Sequence, residues 1–158
     1  MGGPSFIDGK CHEETNNFQA CRFEVDGIEY CSAENYFQTQ KGTTTEAREK
    51  VRNSGPGAAC YMAGSYVHPL RPDWESVKVQ VMYDGNKAKF EQNSEFAKAL
   101  MSTKGDVRFG SSTTFWNTWN GLIMERIRAE LRRNGPEDEE TVKRIKELMD
   151  KYQRDNEM

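Results

Sequence analysis

Residues 32–41 read Ser-Ala-Glu-Asn-Tyr-Phe-Gln-Thr-Gln-Lys, and this stretch decides the local fold and the choice of candidate site. Ser32 is a favourable N-cap residue, so a helix is predicted to start after it, with Glu34 in the first turn. A structural helix of this length usually shows an apolar stripe backed by solvated charge, whereas this one mixes aromatic residues with amides and a single acid. Gln38 and Lys41 follow Glu34 at helical spacing and share its face. The stretch therefore predicts a helix whose side chains can bind a polar ligand.

The residues before this helix predict a β-hairpin. Apolar residues alternate over residues 23–30 around the pair Asp26-Gly27. An Asp-Gly pair is a strong hairpin signal because both positions tolerate positive φ. Residues 1–20 are polar and show no period, so they predict a loop with a short strand near Phe6 and Ile7.

The residues after residue 41 predict further helices. Thr43 and Glu46 have the spacing of a capping box, which starts a second helix, and Pro56 is predicted to start a short third one. Asp73 is predicted to cap a longer helix that Gly85 weakens and can divide. A helix is also predicted after the aromatic segment 115–121, and an amphipathic one follows residue 136. The sum is an α+β fold, mainly helical, with a small β-hairpin element.

The length and composition indicate one hydrophilic domain. A chain of 158 residues can bury one real core, so residues 1–135 are predicted to form the domain, with residues 136–158 appended to it as a helix. The net charge of −3 argues against broad coating of nucleic acid, and a mean hydropathy of −0.89 argues against a membrane span. The four cysteines form no Cys-x-x-Cys pair, which argues against structural zinc. The N-terminus resembles no secretion signal, so we expect an intracellular protein, cytoplasmic or nuclear.

Glu34 is the candidate for acid–base or electrostatic chemistry. A carboxylate among aromatic residues can act as an acid or base, or stay ionised and stabilise a cation. The structural alternative is an acid that only offsets the helix dipole, and the stretch alone favours that alternative. Two further segments could bind a ligand: Arg71 with Trp74 at a loop–helix junction, and residues 115–121. Trp74 as a core anchor and the second segment as a staple under the next helix are their structural alternatives.

Two sets of basic residues are predicted to lie on solvated helix faces and to carry no function. They are Lys87, Lys89 and Lys98, and Arg126, Arg128, Arg132 and Arg133.

Several motifs in order resemble one known family. Phe-x-x-Asp-Gly-x-x-Tyr precedes residues 32–41, Leu-Arg-Pro-Asp-Trp-Glu-Ser-Val-Lys follows from Leu70, and Ala-Lys-Phe-Glu-Gln-Asn follows from Ala88. Phe-Trp then precedes Gly-Leu-Ile-Met-Glu-Arg-Ile-Arg, which begins at Gly121. In order and approximate spacing, residues 17–131 resemble the NADAR family, also called YbiA-like.

This resemblance implies a compact, mainly helical α+β domain that hydrolyses N-glycosidic bonds to ribose without a metal or an organic cofactor. It places the family's acid on Glu34 and its tryptophan on Trp74, and it places Asn17 and Phe18 at the pocket. With these, we expect the substrate to be bound by a larger set of residues: Asn35, Tyr36, Gln38, Lys41, Arg71, Trp116, Trp119 and Asn120.

The chain also departs from the family pattern. Bacterial members tend to continue Trp-Gly-Asp-Gly through a glycine-rich loop, whereas this chain passes from Trp116 through Asn-Thr-Trp-Asn to Gly121. The loop is shortened and its aspartate is absent, so Glu34 is the one strong candidate acid. Asn35 also stands where the family often has histidine.

Three functions remain open on the sequence. The first is an N-glycosidase. Its favoured reaction is release of ADP-ribose from ADP-ribosylated guanine, in DNA or in nucleotides, and its alternative reaction is cleavage of ribosylated pyrimidine intermediates of riboflavin synthesis. The second is a module that binds ADP-ribose without hydrolysing it. The third is an interaction protein whose helix at residues 136–153 docks a partner. The sequence does not indicate an oligomeric state.

Overall fold

The computed structural model describes residues 2–157. Two antiparallel hairpins come first: β1 (Ser5–Ile7) pairs with β2 (Lys10–His12), and β3 (Phe23–Val25) pairs with β4 (Ile28–Tyr30). A single 3-10 turn, Glu13–Thr15, lies between the hairpins. Seven helices follow in the described range: α1 (Ala33–Thr39), α2 (Thr45–Arg52), α3 (Ala58–Ser65), α4 (Trp74–Gln92), α5 (Ser94–Met101), α6 (Thr114–Arg132) and α7 (Pro136–Asp155). The predicted class, mainly helical α+β with a small hairpin, is confirmed.

Each hairpin turns on an Asp-Gly pair. Asp26 and Gly27 have φ of 53° and 78°, which is the left-handed conformation that the hairpin prediction requires. Asp8 and Gly9 have φ of 52° and 77° and connect β1 to β2 in the same way. The short strand expected near Phe6 and Ile7 is present as β1, whereas the expectation of a loop is wrong for residues 10–12, which form β2. The same two-residue signal was present there, but the flanking residues are too polar to show alternation.

Helix α1 lies at the centre of the molecule. All seven of its residues are buried, and it packs against α2, α3, α4 and β4. Ser32 caps it as predicted, since its hydroxyl accepts a hydrogen bond from the backbone N–H of Asn35 at 2.9 Å. The buried polar residues of the sequence motif are therefore held in the core of the fold.

Helix α4 continues through Gly85 without a break. A Cβ atom at this position would lie 2.5 Å from Cδ1 of Tyr36, so glycine allows the tyrosine ring of α1 to pack directly on the helix backbone. The glycine that the sequence suggested as a weak point is thus a packing contact between the two helices that build the core.

Several helix ends differ from their predicted positions. Thr44, rather than Thr43, caps α2, and α3 starts at Ala58 rather than Pro56. Helix α6 starts at Thr114, so the aromatic segment 115–121 is helical and does not precede the helix. Residues 43–45 are consecutive threonines, so the sequence offers several equivalent N-cap positions for α2, and tertiary packing selects among them.

Three of the basic residues expected on solvated faces are buried. Lys89 is fully enclosed, and Arg126 and Arg128 are 8% and 6% exposed. The guanidinium of Arg126 stacks over the ring of Tyr83, 3.9 Å from its centroid, while Arg128 donates hydrogen bonds to Thr103 and to the Gly105 carbonyl. Charge at helical spacing did not reveal that these residues face neighbouring elements.

Helix α7 covers α4 and α6 with one face. Ile145 and Met149 are buried and Val142 is partly buried, while Leu148 is 40% exposed. The hydroxyl of Tyr152 donates to the Glu75 carbonyl of α4 at 2.7 Å. Most of the apolar stripe is thus used within the chain, which counts against a helix held out for a partner. None of the helices in residues 2–157 combines the length and the apolar character needed to cross a lipid bilayer.

Candidate active site

Glu34 occupies an enclosed position at the start of α1. Its side chain is fully buried, and its backbone N–H donates to the carbonyl of Asn17 at 2.8 Å. The first N–H groups of a helix have no partner within the helix, so this contact also ties the start of α1 to the segment before the second hairpin. The position favours negative charge because the positive end of the helix dipole lies there.

Gln38, one turn further along α1, holds the Glu34 carboxylate. Its side-chain nitrogen donates a short hydrogen bond to Oε2 of Glu34. Gly64 of α3 closes over this amide, because a Cβ atom there would lie only 2.0 Å from Oε1 of Gln38. The carboxylate is therefore oriented by a side chain that is itself clamped between two helices.

Lys41 brings a cation within electrostatic range of Glu34. Its ammonium lies 5.8 Å from the ring centroids of both Phe37 and Trp74. Burial lowers the pKa of Lys41, while Glu34 acts in the opposite direction and Lys78 lowers it further. Arg71 lies next to it along the backbone, since its N–H donates to the Lys41 carbonyl at 2.9 Å. The Arg71 guanidinium makes two hydrogen bonds to Asp73, of 2.7 and 3.0 Å.

Aromatic rings surround Phe37 at the far side of α1. Its ring centroid lies 5.0 Å from that of Trp74 and 5.3 Å from that of Trp116, both in edge-on geometry. Phe115 joins Trp116 to Tyr152 of α7, and Lys78 lies 4.7 Å above the Phe115 ring. These contacts exclude water from the neighbourhood of α1 and fix its rotation.

A cleft of about 590 Å³ lies between the N-terminal segment, Phe18, α3 and the loop before α6. Phe18 lines it, next to the Asn17 carbonyl that accepts from Glu34. Tyr61 of α3 and the hydroxyl-rich residues 111–113 line other parts of it. A cleft with aromatic walls and hydroxyl groups has the size and chemistry to hold a nucleoside-sized group.

Similarity to known proteins shows the family of the chain. The model of the NADAR domain matches residues 6–119 of the chain. The chain belongs to the NADAR domain family. N-glycosidase YbiA of Escherichia coli K12 is 43% identical over 89 residues, and so is that of Shigella boydii. In both cases the match spans 56% of this chain and 56% of the relative, so the chain spans about half the length of these curated relatives.

Two further comparisons extend over more of this NADAR chain. A riboflavin biosynthesis protein, VVA0006 of Vibrio vulnificus, is 30% identical over 132 residues, which is 76% of this chain and 36% of that protein. The NMR structure of E. coli YbiA superimposes with a TM-score of 0.67 at 32% identity, and the match covers 75% of this chain and 77% of that one. The YbiA-like fold expected from the motifs is thereby confirmed.

The NADAR fold brings one group of the predicted residues together. Glu34 and Gln38 lie on α1, Lys41 follows the C-terminal end of this helix, and Trp74 and Trp116 pack on Phe37. Asn17 and Phe18 lie at the start of the same helix through the Asn17–Glu34 contact. Asn120 is buried on α6, one turn after Trp116.

The NADAR fold uses the other predicted residues in contacts away from this group. The amide of Asn35 donates to the carbonyls of Arg52 and Gly55, both at 2.9 Å, and so fixes the loop between α2 and α3. Tyr36 packs on Gly85, and Trp119 packs against Tyr152. Their role in substrate binding stays a prediction.

Sequence reasoning missed several residues around Glu34. Gly64 is one, and a glycine within a helical stretch was the available signal. Cys60 is another: burial, with Glu34 as the second cause, raises the pKa of its thiol to about 12, which keeps it neutral. Asn86 and Lys89 of α4 hold the segment that contacts Glu34, and nothing in their sequence context indicates this role. Within residues 2–157, no three His, Cys, Asp or Glu side chains converge as metal ligands would.

Proposed function

We propose that the protein is an N-glycosidase that hydrolyses the bond between ADP-ribose and guanine and releases ADP-ribose. The observation that carries the proposal is the enclosed Glu34 carboxylate, oriented by Gln38, at the start of a buried helix in a NADAR domain. The names of the YbiA relatives support the reaction class, and the substrate is inferred from the site.

The reaction needs one well-placed negative charge. As the C–N bond to the anomeric carbon breaks, its electrons move to the guanine nitrogen, and positive charge builds on the ribose ring oxygen and the anomeric carbon. Glu34 stabilises that charge, and the exclusion of water around α1 strengthens its effect. A water molecule then bonds to the anomeric carbon and releases a proton, while the guanine nitrogen gains one.

The cations and the cleft fit the remainder of ADP-ribose. Lys41 and Arg71, joined by a backbone hydrogen bond, are suited to the diphosphate, although Asp73 offsets part of the Arg71 charge. Phe18 and Tyr61 provide aromatic surfaces on which a purine can stack. Two phosphates and two nucleoside-like ends would use more of this surface than a ribosylated aminopyrimidine does.

A second candidate function is cleavage of ribosylated aminopyrimidines. It is favoured by the name of the Vibrio vulnificus relative, a riboflavin biosynthesis protein. Against it stands the short passage from Trp116 to Gly121, which lacks the glycine-rich loop of the bacterial pattern.

The test compares substrates and two matched variants. Wild type is incubated with ADP-ribosylated guanosine and, in parallel, with the ribosylaminopyrimidine, and products are identified by mass spectrometry. Glu34→Gln keeps a group that can accept from Gln38 but removes the charge. Glu46→Gln is the control because Glu46 is the second residue of α2, as Glu34 is of α1, yet it is exposed.

We expect ADP-ribose from the first substrate, a fall of about 10³-fold or more in Glu34→Gln, and full activity in Glu46→Gln. Full activity in a folded Glu34→Gln protein would remove Glu34 from the mechanism. Turnover of the aminopyrimidine alone would overturn the substrate assignment, and tight binding of ADP-ribose without any turnover would overturn the enzymatic proposal.

A further inference from the structure

Helix α4 presents two buried polar side chains to the segment before the second hairpin. Asn86 and Lys89 are three residues apart, so they share one face of the helix, and both have 0% exposure. The Asn86 amide donates to Oδ1 of Asn17 at 3.2 Å, and the Lys89 ammonium donates to the carbonyl of Asn16 at 3.0 Å. Two successive residues of the segment are therefore held from one side by one helix.

The same segment contacts the start of α1 from its other side. The carbonyl of Asn17 accepts from the backbone N–H of Glu34 at 2.8 Å. That N–H belongs to the first turn of α1, where a helix supplies no acceptor of its own, and its hydrogen bond goes to Asn17. A chain of hydrogen bonds thus runs from α4 through residues 16–17 to the backbone of the candidate catalytic residue.

We propose that Asn86 and Lys89 are positioning residues that together hold the segment 16–17 against α1 and thereby fix the placement of Glu34. The expected effect of these residues on catalysis rests on the proposed function, whereas their effect on the placement of Glu34 does not. Asn86 contacts Asn17 and Lys89 contacts Asn16, so each acts on Glu34 through this segment.

The environment of Lys89 shows why this contact is specific. Its ammonium lies 5.4 and 5.5 Å from the ring centroids of Phe90 and Phe96, in a place from which water is excluded. Burial lowers the pKa of Lys89 to about 8, against the opposing effects of Cys21 and Glu14. A buried ammonium requires a strong acceptor, and the carbonyl of Asn16 supplies it.

The direct test follows the Glu34 amide by NMR hydrogen exchange in the full chain. Lys89→Met keeps the length of the side chain and removes the donor, and Asn86→Leu does the same for the amide. The matched control is Gln92→Met, since Gln92 makes two hydrogen bonds from the same helix to the backbone of Glu24 in β3. Asn86→Ser replaces Asn86→Leu where the larger substitution prevents folding.

We expect exchange at the Glu34 amide to accelerate about tenfold or more in Lys89→Met and Asn86→Leu, relative to other first-turn amides, as for a weakened buried hydrogen bond. Gln92→Met should leave it unchanged. For release of ADP-ribose, kcat should fall about tenfold or more. Gln92→Met should keep wild-type kcat.

The outcomes separate this proposal from the proposed function. Unchanged exchange at Glu34 in folded variants would overturn the positioning role and leave both residues merely structural. Faster exchange at Glu34 in a protein whose wild type releases no ADP-ribose would support the positioning of Glu34 and overturn the proposed activity. A kcat of Lys89→Met or Asn86→Leu that is no lower than the kcat of Gln92→Met would also count against positioning.

Discussion

Replacement of Lys89 by Met should remove a contribution to stability that rises with pH in the alkaline range. Lys89 is wholly enclosed, and burial lowers its pKa from 10.5 to about 8. In the unfolded chain the ammonium is solvated and keeps an ordinary pKa. The folded protein therefore loses this proton at a lower pH than the unfolded chain does.

The sign and the size follow from linkage. Below pH 8 both states are protonated, and the folded state carries the full unfavourable free energy of the buried charge. Between pH 8 and 10.5 the unfolded state binds more protons, so the free energy of unfolding of the wild type rises with pH. At about 1.4 kcal/mol per pH unit the whole effect is on the order of 3 kcal/mol, of which roughly 2–3 kcal/mol lies between pH 7 and pH 10.

Urea unfolding of wild type and Lys89→Met at several pH values between 7 and 10 measures this effect. Other titrating groups occur in both proteins and cancel in the difference between their free energies of unfolding. Cys21 is the exception because it interacts with Lys89 and its own pKa is raised by burial. Both proteins are therefore compared in a Cys21→Ser background, under reducing conditions.

The free energy of unfolding of the wild type minus that of Lys89→Met should increase by roughly 2–3 kcal/mol between pH 7 and pH 10. A difference that stays constant within about 0.5 kcal/mol would show that Lys89 titrates normally, and the account of a desolvated ammonium would fail. A difference that moves in the opposite direction would show that the protein stabilises the charged form.

Other changes test the packing around α1 and the last helix. Gly64→Ala should destabilise the protein by about 1–3 kcal/mol and reduce activity, since its methyl group would displace Gln38; chemical denaturation and a kinetic assay measure the two effects. Ser32→Ala should cost about 1 kcal/mol through loss of the N-cap, and an unaltered denaturation midpoint would contradict that role. Ile145→Ala should cost about 2–5 kcal/mol, whereas Leu148→Ala, at a position 40% exposed, should cost clearly less by the same measurement.

The local signals in the sequence predicted the elements that depend on neighbouring residues. The Asp26-Gly27 hairpin and the Ser32 cap of α1 are of this kind, because turn geometry and capping are set within a few residues. Glu34 was correctly placed in the first turn for the same reason. Such local signals could not predict that other helices enclose Glu34.

Features that depend on distant parts of the chain were not predictable in this way. Gly85 suggested a weak helix, but the ring of Tyr36 from α1 occupies the space its missing side chain leaves. Lys89 suggested a solvated face, yet its partner is a carbonyl 73 residues away in sequence. In both cases the side chain alone gives no indication of what the fold places against it.

The position of α7 sets a practical limit on how this protein can be shortened. The family match ends at residue 119, in the middle of α6, while Tyr152 of α7 lies on the rings of Phe115 and Trp119. A recombinant fragment cut at the family boundary would end inside a helix, and one cut at residue 135 would bare those rings to solvent. Such fragments should aggregate on expression, so a minimal soluble version has to retain α7, and affinity tags are best placed beyond it.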